Sequence, residues 1–290
     1  MKQVIGKARV LIEALPYIQR FKGETVVVKF GGSALEERAQ YENVLRDVSF
    51  MAVVGMKPVI VHGGGKAISR KLKEAQVPTR FVHGLRVTDE ATVKVVQQVL
   101  GKEVNADIVA TLRKHGCLAD GIMGEEILTA VKHHPQDPRT GEELDLGLVG
   151  EAVAVDTGPV RAFTDRGIVP VITPLGRDPR GQLYNINADQ AAATVAESLK
   201  ARKLVFLSDV PGLCENPEDP DTLMSTLSTS QVEALIRKGV IDGGMKPKVA
   251  SAVKALEAGV RKVHFVDAAL PHSLLLELFT DKGVGTEIVA

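Results

Sequence analysis

The sequence predicts an α/β protein: a three-layer αβα sandwich around a mostly parallel central sheet. Two observations predict it. Short apolar runs rich in Val and Ile alternate along the chain with longer segments of helical period, the pattern of repeated strand–helix units. Those short runs are apolar throughout rather than at every second residue, as expected for strands covered on both faces.

Taken in order, Val4, Ala8, Leu11, Ile12 and Leu15 form a one-sided apolar stripe before Pro16. Such a helix either caps its own core or docks on another subunit. Thr25–Phe30 (TVVVKF) reads as a buried strand closed by Gly31 and Gly32, and a helix follows from about Glu37 to Val54. Pro58–Val61 is the next strand; Gly63-Gly64-Gly65 leads into a helix over Lys66–Ala75. A long helix over Glu90–Lys114 and a strand near Leu118–Met123 come next. Ile127–Val131 and Leu148–Val155 read as a hairpin joined by the polar stretch His133–Glu143. The rest alternates: helix Gly158–Arg166, strand Ile168–Thr173, helix Ala188–Leu199, strand Lys203–Leu207, helices Ser230–Lys238 and Pro247–Ala258, strand Val263–Val266, helix Pro271–Thr280 and a last short strand.

Length and charge narrow the function classes. A chain of 290 residues suits one large domain or two lobes, and the second strand–helix series sets the expected boundary at 198/199, giving lobes 1–198 and 199–290. With 36 Lys+Arg against 36 Asp+Glu the chain lacks the cationic excess of a nucleic-acid binder. Cys117 and Cys214 lie far apart and form no metal or redox motif. No apolar run reaches the length of a membrane span, and the N-terminal residues lack a cleavable leader pattern. A cytosolic protein is expected.

Three glycine-rich turns are each expected to follow a strand: Lys29–Ser33 (KFGGS), His62–Gly65 (HGGG) and Asp242–Lys248 (DGGMKPK). Glycine lets backbone N–H groups approach a ligand closely, and the carboxyl ends of strands in an open α/β sheet are where ligands bind. Such turns ahead of helix N-termini suit phosphate or carboxylate. Lys248 falls beside Pro247 in the first turn of its helix, where its charge opposes the dipole unless an anion is shared. Lys29 ends a buried strand and needs a partner there. Two lysines aimed at one anion follow. Neither G-x-x-x-x-G-K-[ST] nor G-x-G-x-x-G after a strand is present; His133-His134 lies in a polar loop, and His62 precedes the triple glycine without a carboxylate or Cys at ligand spacing. In Tyr184–Asp189, Asn185 and Asn187 share a side if the stretch is extended, and could hold a carboxylate or amide; Asn187 could equally cap the helix. Asp189 suits the first helical turn, and the planar fork of Arg86 suits a carboxylate.

In order along the chain, KFGGSA, VHGGGKAIS, GLRVTDE, YNINADQAA, LVFLSDVPGL, GGMKPKV and HSLLLELFTDKGVGTEI resemble the amino acid kinase family, and within it the N-acetyl-L-glutamate kinases of arginine biosynthesis. The resemblance implies the amino acid kinase fold, and phosphorylation of the substrate's side-chain carboxylate by ATP, with Mg2+ carried by the nucleotide. It implies that Lys29 and Lys248 bind the transferring phosphoryl group and that Asp189 holds them in register. Arg86 would clamp the α-carboxylate of N-acetyl-L-glutamate, with Gly64, Gly65, Asn185 and Asn187 completing that site. Gly31, Gly32, Ser208, Asp209, Gly212, Gly244 and Met245 would take the nucleotide, in a second lobe with the first glycine turn. It further implies the arginine-inhibited, homohexameric branch, a trimer of dimers interlaced by the N-terminal helix, with L-arginine bound near His272, Glu277 and Gly285. A PII-type signalling protein is a possible partner of that branch. A carboxylate substrate is already ionised near neutral pH, its pKa being about 4.3, so the reaction needs no general base. Two alternatives stay open: a related kinase acting on an N-blocked aminoadipate or on aspartate, and a non-catalytic arginine-sensing subunit of the same fold.

Overall fold

The computed structural model describes residues 2–137 and 140–290. The strands are β1 (Thr25–Phe30), β2 (Lys57–His62), β3 (Phe81–Val82), β4 (Leu85–Arg86), β5 (Ala119–Ile122), β6 (Leu128–Lys132), β7 (Val149–Val155), β8 (Val169–Ile172), β9 (Leu175–Arg177), β10 (Leu183–Ile186), β11 (Lys203–Ser208), β12 (Thr226–Ser228), β13 (Lys262–Asp267) and β14 (Thr286–Val289). The helices are α1 (Lys2–Phe21), α2 (Arg38–Val53), α3 (Gly65–Glu74), α4 (Glu90–Gln98), α5 (Ala106–Lys114), α6 (Thr157–Thr164), α7 (Ala188–Leu199), α8 (Thr229–Arg237), α9 (Met245–Glu257) and α10 (Ser273–Phe279).

Eight strands form the main sheet in the order β12-β14-β13-β11-β1-β2-β8-β5. All neighbours run parallel except β13 and β14. Period two on β1 divides the core. Val27 packs on one face with α7 and α9, whereas Val26, Val28 and Phe30 pack on the other with α2, α5 and α10. Lys29 therefore shares the α7 face with Val27, and this alternation carries it to the start of α7. Among the described residues no helix is long and apolar enough to cross a membrane.

The expected antiparallel hairpin is β6–β7, with a bulge at Thr129/Ala130. It closes with β9 and β10 into a small four-stranded barrel beside the main sheet. The long helix expected over 90–114 is α4 and α5 joined by a π-helical stretch, Val99–Asn105. One expectation fails: the turn Asp242–Lys248 follows α8, not a strand. Pro247 still falls in the first turn of α9, which begins at Met245. The side chains of Val4 and Ala8, in the predicted N-terminal stripe, lie outside the described residues; Leu11, Ile12 and Leu15 are exposed.

Candidate active site

The parallel strands end along one edge of the sheet, and the predicted side chains gather there. Lys29 is 7% exposed, and its Nζ lies 2.9 Å from Asp189 Oδ1. Asp189 is placed by the start of α7, where the Asn187 side chain accepts hydrogen bonds from the N–H groups of Asp189 and Gln190. Asn187 is thus the helix cap, and its Oδ1 is engaged. Burial holds the Lys248 ammonium below its ordinary pKa; Asp189 and Asp209 pull it up and Lys29 pushes it down. Two lysines from opposite ends of the chain therefore share one electrostatic neighbourhood with Asp189 and Asp209.

Asp209 ties the first glycine turn to the end of β11. Its Oδ1 accepts from Ser33 N at 3.1 Å and Ser33 Oγ at 2.5 Å. Burial opposes its charge, but the Ser33 bonds, Lys248 and Lys29 outweigh it and hold the carboxyl below its usual pKa. Gly32 has φ +69°, and a Cβ there would lie 2.9 Å from Asp209 Oδ1, so the turn admits no side chain. Gly31 stands against Lys29: a Cβ on it would come 2.9 Å from Nζ. Ser208 is buried, its Oγ donating to the Val210 carbonyl. Gly212 packs against Thr286, while Gly244 is exposed and Met245 starts α9.

The acceptor side is built on α3 and the β3–β4 hairpin. Arg86 is 6% exposed. It donates to Thr79 Oγ1 (2.7 Å), Gly65 O (2.9 Å) and Ser69 Oγ (2.8 Å), and its guanidinium lies 4.5 Å from the Phe81 ring centroid. Burial lowers its pKa, and all three hydrogen-bond acceptors are neutral. A buried guanidinium held only by neutral groups is a receptor for an anion. Next to it is a cavity of about 420 Å³ lined by Gly32, Gly64, Gly65, Ser69 and Phe81 among others, within the usual size of small-molecule sites. Asn185 is half-buried and donates to Thr88 Oγ1 at 3.2 Å.

A second cavity, of about 170 Å³, lies where α1 meets β11, β13 and α10. Glu277 lines it and accepts from His264 Nδ1 (2.6 Å), Val284 N (2.7 Å) and Gly285 N (2.9 Å). Burial works against the Glu277 charge, and these donors more than offset it, leaving its pKa low. Lys203 also lines the cavity, 5.2 Å from the Phe21 ring centroid, with its pKa lowered to about 8 by burial and then by Lys262. His272 lies outside the cavity, its Nδ1 2.7 Å from Asp47 Oδ1. Gly285 reaches it only through its N–H bond to Glu277.

Ser33 and Ser69 lie inside the quoted glycine motifs but carry no predicted role, and Thr79 on the first site and Tyr17, Lys203 and His264 on the second lie in no motif. The β3–β4 hairpin had one usable signal. His83 and Gly84 both have positive φ, 48° and 80°, and a two-residue turn ending in Gly between Phe-Val and Leu-Arg is a hairpin signature.

A model of the amino acid kinase family matches residues 24–267, which include Lys29, Arg86, Asp189, Asp209 and Lys248. The chain belongs to the amino acid kinase family. Within that family it is 46% identical to the acetylglutamate kinase of Heliobacterium modesticaldum over a 294-residue alignment covering all of both chains. It is 47% identical to that of Carboxydothermus hydrogenoformans, with 99% of each chain covered, and 44% identical to that of Archaeoglobus fulgidus, with 96% and 97% covered. Among solved structures, N-acetylglutamate synthase from Neisseria gonorrhoeae, complexed with coenzyme A and N-acetyl-glutamate, superposes with a TM-score of 0.84 at 31% identity. That match covers 98% of this chain, which spans 63% of the synthase. A carbamate kinase from Giardia lamblia bound to AMP-PNP, at 18% identity, shares the amino acid kinase fold (TM-score 0.67, 92% and 98% covered).

Proposed function

We propose that this protein is an acetylglutamate kinase, transferring the γ-phosphoryl group of ATP to the side-chain carboxylate of N-acetyl-L-glutamate in the cytosol. The observation that carries the reading is the Lys29–Asp189 ion pair at the carboxyl edge of the sheet, with Lys248 within electrostatic reach of both. A carboxylate oxygen forms the new bond to phosphorus while the bond to the β–γ bridging oxygen breaks and ADP leaves. No proton moves, because the acceptor is already ionised. The work left for the protein is to align two anions and neutralise charge on the moving group. Lys29 and Lys248 supply positive charge, and Asp189 keeps the ammonium groups from separating. Arg86 holds the α-carboxylate, with Asn185 beside it. Magnesium would enter with the nucleotide.

L-Arginine is the proposed inhibitor, in the second cavity. Glu277 and Glu287 suit its cationic ends, Lys203 suits its carboxylate, and His264 Nε2 is buried with no partner among the described residues. Support comes from the Neisseria gonorrhoeae synthase complexed with coenzyme A and L-arginine, 29% identical with a TM-score of 0.80; this chain spans 65% of it. The exposed stripe of α1, with Leu11 and Ile12 each 68% exposed, supports packing of this helix between subunits of a homohexamer.

The test is hydroxylamine trapping of the acyl phosphate with ATP, Mg2+ and N-acetylglutamate, run beside N-acetyl-2-aminoadipate and with or without arginine. Hydroxamate formation favouring the glutamate derivative is expected; none above the enzyme-free rate overturns the reading.

A further inference from the structure

β2 ends in His62, and no part of the mechanism above uses it. Its side chain is completely buried, directly behind the glycine turn that borders the acceptor cavity. Nδ1 lies 2.7 Å from the Gly63 carbonyl oxygen. A carbonyl only accepts, so Nδ1 carries the proton. Asn105 approaches the other nitrogen: its Nδ2 lies 3.2 Å from His62 Nε2 and 2.8 Å from the Val171 carbonyl oxygen. That second carbonyl requires the amide nitrogen, not the amide oxygen, at this position. Its remaining hydrogen points at Nε2, which must therefore be an unprotonated acceptor. The direction of every bond in the chain Val171–Asn105–His62–Gly63 is fixed, and the imidazole is neutral. Burial acts the same way, lowering the His62 pKa to about 4.

The π stretch makes this contact possible. Asn105 closes Val99–Asn105, and widening the helix there turns its side chain into the core toward β2 and β8. Gly121 leaves the space it occupies, since a Cβ there would lie 2.3 Å from Asn105 Oδ1. The same stretch sets Leu100 against Gly64, where a Cβ would come within 2.7 Å of Leu100 Cδ2.

We infer that His62 is a positioning residue: braced by Asn105, it fixes the Gly63–Gly64 peptide so that the Gly64 N–H faces the phosphoryl-transfer cleft. The peptide is trans, as are all others described, so its N–H points opposite to its carbonyl. With the Gly63 carbonyl turned inward to the imidazole, the Gly64 N–H is turned outward to the cavity. Gly63 N is bonded to the Phe30 carbonyl at 2.7 Å, which locks the turn to the strand that carries Lys29. A donor aimed in advance stabilises charge on the group in flight without reorganising.

This inference rests on the phosphotransfer reading, and two variants of the full-length protein test it. His62→Asn keeps a side-chain N–H where Nδ1 stands but cannot reach Asn105; His62→Leu removes both contacts. Outright loss of an oxyanion donor lowers kcat by about 10²–10³-fold, and here the donor is misaimed rather than deleted. His62→Leu is expected to lose about 20–100-fold in kcat, with KM for ATP and N-acetylglutamate within about threefold. His62→Asn stays within about fivefold of wild type at a similar melting temperature. Equal losses in both variants, or an unchanged kcat in His62→Leu, overturn the inference. NMR of the wild-type protein labelled with 15N-histidine reads the tautomer without any substrate. A proton on Nδ1 of His62 supports the inference, and a proton on Nε2 refutes it. A wild-type protein that shows the Nδ1 proton yet forms no acyl phosphate refutes the functional reading alone.

Discussion

Replacing Lys29 with methionine separates the two things its ammonium does. It neutralises Asp189 at 2.9 Å, and in the proposed mechanism it meets the migrating phosphoryl group. The gross attraction of unit charges about 3 Å apart is about 6 kcal/mol at an effective dielectric near 20. Desolvating both groups offsets most of this. Lys248 stays behind as a second counter-charge for Asp189, so Lys29→Met is expected to cost only about 1–3 kcal/mol of stability. The effect on rate is larger. Losing a positive contact made in the transition state costs about 3–4 kcal/mol, a fall of about 150–1,000-fold in kcat. Asp189→Asn supplies the control, because it leaves Lys29 and Lys248 repelling one another. The double variant Lys29→Met/Asp189→Asn removes one charge of each sign, so its melting temperature is expected to recover toward wild type while kcat stays low. Hydroxamate formation at saturating ATP and N-acetylglutamate and thermal unfolding are the two readouts. If activity returns together with stability in the double variant, Lys29 serves only the ion pair and the catalytic argument is wrong.

Three further outcomes follow from the geometry. Arg86→Lys loses the fork shared between Thr79, Gly65 and Ser69, and is expected to raise KM for N-acetylglutamate about 10–100-fold with kcat changed little; an unaltered KM would remove Arg86 from the substrate site. Lys203 has a pKa of about 8 in the fold against an ordinary 10.5, so the unfolded chain holds this proton more tightly. Its penalty is full below about pH 8 and fades as pH rises through about 10.5. Lys203→Met is thus expected to be more stable than wild type by about 1–3 kcal/mol at pH 7, after allowing for the lost Phe21 contact, and to have no advantage near pH 10.5. It should also be indifferent to arginine; urea titrations at both pH values and an inhibition curve check this. Deleting residues 2–20 spares Phe21, which packs edge-on against Phe279, and should abolish both the proposed hexamer and the proposed arginine inhibition while acyl-phosphate formation persists. A truncated protein that light scattering still shows as a hexamer would rule out the interlacing role.

The features legible in the sequence were those set by local periodicity. β1 has four apolar residues in six and buries five of the six, α7 begins and ends where the pattern of 188–199 places it, and Lys29 and Lys248 each look out of place locally. What escaped was set by contacts between distant segments. β3 and β4 have two residues each, too few for any period. β9 and β10 gain their strand character from closing the barrel with β6 and β7. The Ser33–Asp209 contact spans 176 positions, and no spacing rule reaches that far. The π stretch in the long helix is invisible because no local spacing marks it; it is where Leu100 packs against Gly64 and Gly101 against Met123. Asn187 was ambiguous for a different reason, since an amide at a helix start serves capping and ligand binding with the same atoms.

β1 lies between β2 and β11, with Lys29 opposite Phe206. One neighbour of this strand is therefore made soon after it, whereas the other leaves the ribosome only when two-thirds of the chain has been synthesised. Until then a strand of Val, Val, Val and Phe presents one bare row of amides and carbonyls, the arrangement most prone to pairing with the wrong chain. A fragment ending at residue 198 is frozen at that stage and should precipitate, or travel with a chaperone, instead of behaving as a free-standing lobe.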